Sequence, residues 1–131
     1  MNSLPLRYRR AWIGSIWLLV ILIVAGSLMP DVGLPSIAGT DKIEHFVAYF
    51  ALAILGAAVV TPESLPWVMA RALALGVTLE AAQAVLTESR VADWTDVLAN
   101  ACGILAAWWL VRGRAGWAQA VEAWLVGLRR H

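Results

Sequence analysis

The sequence predicts an all-α polytopic membrane protein of four transmembrane helices, followed by a C-terminal amphipathic helix lying in the interface. Composition is the first observation behind this reading: 61% of residues are hydrophobic, 15% are charged and mean hydropathy is +0.73. Soluble domains carry about 25% charged residues. The second is the recurrence of apolar runs near the length of about 20 residues that crosses a bilayer core of about 30 Å. The third is the segregation of charge between the ends of those runs. At 131 residues the chain is read as a single domain. Its formal net charge of +1 gives no basic stripe, and no RNA-binding signature is present, so nucleic acid is not an expected partner. Cys102, the single cysteine, cannot form an intrachain disulfide and reads as a packing residue in an apolar run.

Ala11 to Met29 carry no charge and form the first span. Arg7, Arg9 and Arg10 precede it, so a signal peptide with a cleavage candidate at Val24-Ala25-Gly26-Ser27 is the rival reading. The apolar run exceeds the 7–15 residues usual for a signal core, which favours a retained helix. Pro30, Gly33, Pro35 and Gly39 then mark a loop. Span two runs from about Ile43 to Val60 and stops at Thr61-Pro62-Glu63-Ser64-Leu65-Pro66, whose prolines cannot continue a helix interior. Span three runs from Trp67 to Leu86 and span four from Thr95 to Val111, and both contain polar residues. In the tail, from about residue 115, Trp117, Val121, Trp124 and Leu128 recur at helical spacing, while Gln119, Glu122, Arg129 and Arg130 fall elsewhere.

Four spans place Arg7, Arg9, Arg10, Arg71, Arg112, Arg114, Arg129 and Arg130 on one side, leaving only Lys42 and Arg90 on the other. Cytoplasmic loops hold the excess of Lys and Arg, so both termini are expected in the cytoplasm. Most of the acids, Asp31, Asp41, Glu44, Glu80, Glu88, Asp93 and Asp96, then fall at or near the outer side.

Residues three or four apart share a helix face. Asp41, His45 and Tyr49 form one polar row, with Lys42 one turn before His45; Glu80, Gln83 and Thr87 form a second. Asp93, Asp96 and Asn100 form a third, continued by the small residues Gly103 and Ala107, which suit close helix packing. Counting back from Thr87 at about 1.5 Å per residue puts Glu80 about 10 Å below the surface, where a carboxylate needs a partner. Each row also has a plainer explanation. Asp93 and Asp96 can cap a helix, His45 can be an ordinary buried histidine, Tyr49 and Trp94 can be interface aromatics, and Gln83 and Asn100 can join helices. The coincidence of all three rows at one depth and on one side argues for a shared site.

Anions outnumber cations in this set, so some carboxylates stay wet, are protonated, or meet a cation from elsewhere. His45 with Glu80, Asp93 and Asp96 supplies ligand types suited to a divalent cation, but without a compact metal-ligand spacing. Phosphate-loop, Gly-x-Ser-x-Gly and His-Glu-x-x-His motifs are absent.

Asp41-Lys42 followed by His45 and Tyr49, then Glu80 with Gln83, then Arg90, Asp96, Asn100 and Gly103 resemble, in order and spacing, the VanZ-like membrane proteins. The resemblance covers roughly residues 27 to 107. It implies a small helical membrane bundle in the bacterial cytoplasmic membrane and a link to the cell envelope and to teicoplanin-type glycopeptide resistance. It does not supply a reaction. Three functions are compatible with these residues. In the first, an accessory protein uses Lys42, His45, Tyr49, Glu80, Gln83, Arg90, Asp96 and Asn100 to bind a lipid-linked envelope precursor or a glycopeptide. In the second, a membrane hydrolase or transferase acts on a lipid-linked phosphate, with His45, Glu80 and Asp96 as catalytic groups. In the third, the polar network only locks the helices together.

Overall fold

The computed structural model describes residues 4–29, 39–86 and 93–128. Among these the fold is all-helical: α1 (Arg9–Leu28), α2 (Thr40–Ala58), α3 (Leu65–Leu86), α4 (Trp94–Val111) and α5 (Trp117–Leu128), with a short 3-10 turn at Pro62–Ser64. Local chemistry sets several boundaries. Gly39 has a φ of 87°, a left-handed conformation suited to glycine, and turns the chain into α2. Pro66 sits in the first turn of α3, where its missing N–H costs no intrahelical bond. Asp93 caps α4 as expected, its Oδ1 accepting the Thr95 N–H at 2.9 Å.

Among the described residues three helices, Arg9–Leu28, Pro62–Leu86 and Trp94–Val111, are long and apolar enough to cross a membrane, rather than the four predicted. The difference is α2. It has 19 residues, but Asp41, Lys42 and Glu44 lie in its opening turns. Those charges reflect its position, because α2 packs most extensively on α4 and also touches α1, α3 and α5. Its inner face carries Tyr49, Leu52, Ala53, Gly56, Ala57 and Ala58, and the four small residues among them admit close neighbours. Gly103 of α4 rests on the α2 backbone, where a Cβ would run into the Phe46 carbonyl oxygen and the Phe50 nitrogen.

α1 is peripheral: only Ile23 and Ser27 of it are buried, while Trp17, Leu18, Ile21 and Leu22 face outward, as lipid-exposed residues do. It nevertheless packs on α2 and α3. Gln83 Nε2–H donates to the Ser27 carbonyl at 2.7 Å near one end of α1. Near the other, the Leu4 N–H donates to the Val59 carbonyl at 3.4 Å.

The tail departs from the expected pattern. α5 is a helix with an exposed Trp124, but its inward positions are Ala118 and Glu122 rather than the stripe read from Trp117, Val121 and Trp124. Glu122, expected on the solvated face, is buried. Its Oε2 accepts the Arg7 N–H at 2.7 Å, and its Oε1 accepts the Tyr8 N–H at 2.9 Å and the Trp12 indole N–H at 3.0 Å. The carboxylate thus supplies the first turn of α1 with a cap that Tyr8 does not provide. Burial works against its ionised form, but the hydrogen bonds from Tyr8, Arg7 and Trp12 outweigh it and hold its pKa below the usual carboxylate range. Trp117 and Gly116 fasten the start of α5 to the end of α2, through N–H donation to Ile54 O and Ala57 O.

Candidate functional site

The expected polar rows converge at the end of the bundle where α2 and α4 begin and α3 finishes. Side-chain exposure falls from 57% at Asp41 through 41% at Asp93 and 33% at Lys42 to 15% at His45 and 13% at Asp96. Below them, Glu80, Gln83, Tyr49 and Asn100 are buried. The site is therefore a shaft-like column of polar side chains with a wet rim and a buried floor.

The Lys42 ammonium occupies the rim. It donates to Asp41 Oδ2 at 2.8 Å, Asp93 Oδ2 at 2.8 Å and Asp96 Oδ1 at 2.5 Å. These contacts, that to Asp41 foremost, hold its pKa above the ordinary lysine range. In return Lys42, followed by Thr95, holds Asp93 well below the usual carboxylate range. Asp93 thus serves two helices, capping α4 with one oxygen and pairing with α2 through the other. The expected capping role is thus combined with an ion pair that joins α4 to α2.

His45 stands one turn below. Its Nδ1 lies 3.1 Å from Asn100 Oδ1, to which Nδ1–H donates with the amide as placed, and its Nε2 lies 3.6 Å from Asp96 Oδ2. Asp96 is the pivot, with one oxygen on Lys42 and the other facing the imidazole. Glu80 approaches from α3, and its Oε1 accepts the Asp93 N–H at 2.5 Å. The carboxylate read as too deep to be solvated has found its partner in a backbone group at the start of α4. Tyr49 packs in the core.

Gly76 was not singled out from the sequence, yet it shapes the floor. A Cβ there would lie 2.9 Å from Asn100 Nδ2 and 3.1 and 3.2 Å from Tyr49 Cε1 and Cζ. The missing side chain lets the two buried residues meet α3. A glycine inside an apolar helix is a weak cue in the sequence, and its neighbours on α2 and α4 are evident only after folding.

Other expectations are redistributed. Gln83 bonds to Ser27 and so ties α1 to α3. Glu44 is exposed on α2. Arg90 and Thr87 lie outside the described residues. The suggested cation-ligand set of His45, Glu80, Asp93 and Asp96 is not assembled, and no group of three His, Cys, Asp or Glu side chains suited to a metal occurs among the described residues. The Lys42 ammonium bridges Asp93 and Asp96, while Glu80 turns to a backbone N–H. The Lys42 ammonium, expected among the ligand-binding groups, already faces three carboxylates.

A helical bundle with apolar, membrane-length helices and a polar shaft at one end defines a multi-pass membrane protein. The VanZ/LLP1 family model matches residues 4–117, and the chain belongs to that family. The match takes in α1, beyond the segment that carried the sequence resemblance, and stops at the first residue of α5. No curated protein and no solved structure matches the chain.

Proposed function

We propose that this VanZ-family protein is an accessory binding protein of the cell envelope, linked as its family is to glycopeptide resistance, whose polar shaft recognises an envelope component. In this reading α2 crosses the membrane with the other three long helices, both termini are cytoplasmic, and the shaft opens on the outer face. The ligand is a lipid-linked precursor or a glycopeptide.

One observation carries the reading: a partly exposed rim of Asp41, Lys42 and Asp93 leads directly to the more enclosed Asp96 and His45, and through His45 to the buried Asn100. A network needed only to lock helices has no use for a surplus of negative charge at its wet edge, since surface ion pairs contribute little to stability. Here Lys42 faces three carboxylates. That surplus suits a ligand amine or other cationic group, with the His45, Asn100 and Asp96 polar atoms below to fix its orientation. Both His45 nitrogens already face protein groups, which favours positioning and binding over catalysis by this histidine.

The test is glycopeptide susceptibility of cells expressing wild type, His45→Ala or Glu80→Gln at matched membrane abundance. Binding predicts loss of the wild-type phenotype in His45→Ala with protein still accumulating. An unchanged phenotype at equal abundance contradicts it. Loss of accumulation in both variants would assign these residues to helix locking.

A further inference from the structure

The opposite end of the bundle carries a different chemistry. Arg7, Arg9 and Arg10 at the start of α1 and Arg112 and Arg114 at the end of α4 are all exposed. The backbone bonds of Leu4 to Val59 and Gly116 to Ala57, with the Trp12 and Trp117 rings 5.3 Å apart, bring these segments together around the end of α2. Two carboxylates belong to this end among the described residues. Glu63 is exposed, whereas Glu122 is buried against three N–H donors. The surface is therefore cationic.

Two further features specify what would cover it. Trp67, Trp109 and Trp124 are 66%, 70% and 65% exposed near this same end, the placement of a membrane-interface aromatic belt. A groove of about 540 Å³ between the N-terminal segment and α5 is lined by Arg7, Gln119 and Glu122, with Ala123 and Val126 as apolar wall. The Arg7 guanidinium also lies over the Tyr8 ring, 5.7 Å from its centroid. Polar groups at the headgroup level beside an apolar wall match a phospholipid whose phosphodiester meets arginine while its upper acyl chain meets α5.

We propose that this end is a docking site for anionic phospholipid headgroups, with Arg7 lining the groove, Arg114 exposed on the adjoining segment where Gly116 meets Leu4, and Glu122 fixing the groove. Glu122 acts as a positioning residue: by capping α1 from α5 it holds the Arg7 segment against that helix. The site lies at the far end from the polar shaft, so it stands or falls independently of the envelope-ligand reading.

The experiment uses the full chain in a nonionic detergent, titrated with phosphatidylglycerol or phosphatidylcholine and read as bound-lipid adducts by native mass spectrometry. Wild type is expected to retain phosphatidylglycerol at least about tenfold better. Each arginine near an anionic surface is worth about fivefold in affinity, so the R7Q/R114Q double variant is expected to lose about twentyfold and approach the phosphatidylcholine level. These side chains are exposed, and unchanged helicity and thermal midpoint establish that the variant is folded. Equal retention of both lipids by wild type overturns the proposal. So does undiminished phosphatidylglycerol retention by the folded double variant, or displacement of the lipid by millimolar inorganic phosphate.

Discussion

Gly76→Ala places the smallest possible change at the floor of the shaft. The added Cβ would stand 2.9 Å from Asn100 Nδ2 and 3.1 Å from Tyr49 Cε1. Carbon contacts settle at about 3.5–4.0 Å, so the Asn100 amide must withdraw by roughly 0.6 Å or α3 must shift outward. Asn100 and Tyr49 are each 1% exposed and have little room to yield. A shift of that size takes the 3.1 Å contact between His45 and Asn100 past the limit of a good hydrogen bond. Overpacking costs about 1–3 kcal/mol and a lost buried hydrogen bond about 1–3 kcal/mol more, against about 1 kcal/mol gained by replacing a helical glycine. The net expectation is a loss of about 1–5 kcal/mol. Thermal unfolding of the purified chain reads this as a lowered midpoint. His45 is one of two histidines in the sequence, so its imidazole nitrogen resonances report the geometry directly. An unchanged midpoint together with unchanged His45 resonances would refute the packing argument.

The same logic applied to Gly103→Ala predicts separation of α2 from α4, because the obstacle there is backbone and cannot rotate away. Its thermal midpoint should fall below that of Gly14→Ala, a site with nothing within 4 Å, and equal midpoints would contradict the close crossing. The rim should show a pH window. Asp93 has a lowered pKa, so its stabilisation is present above about pH 4 and is lost as the pH falls through its folded value. Lys42 has a raised pKa, so its share is present below about pH 10 and is lost only as the pH rises through its folded value. Lys42→Gln should flatten the acid limb of a plot of thermal midpoint against pH; an unaltered acid limb would remove Lys42 as the cause. Glu122→Ala should leave the Arg7 and Tyr8 N–H groups without their acceptor and speed tryptic cleavage after Arg7, Arg9 and Arg10 relative to Gln119→Ala. Equal cleavage rates would count against the cap.

Helical class and the residues of the shaft were readable because period and charge are local properties of a chain. The row Asp41, His45, Tyr49 needed only helical spacing, and Asp93 announced itself as a cap. What the sequence obscured was direction in space. Glu122 has a polar side chain in a tail of alternating character, and its burial depends on N–H donors 110 to 115 residues away. α2 reads as a span by hydrophobicity, but its opening charges are tolerated because α4 brings Asp93 and Asp96 to Lys42. Pairing across helices was hidden too, since spacing along single helices does not reveal that Lys42 bridges the two aspartates. Gly76 and Gly103 illustrate the same limit. Each glycine matters for the neighbour that it admits, and that neighbour belongs to another helix.

Binding of an envelope ligand by the shaft is open to direct measurement. The most direct measurement is calorimetric titration of the full chain in nanodiscs with a teicoplanin-type glycopeptide and, separately, with a lipid-linked peptidoglycan precursor, comparing wild type with folded His45→Ala. Saturable binding of one ligand by wild type, weakened at least about tenfold in His45→Ala, is the predicted result. Absence of binding to either ligand, or equal affinity in the two proteins, would contradict it.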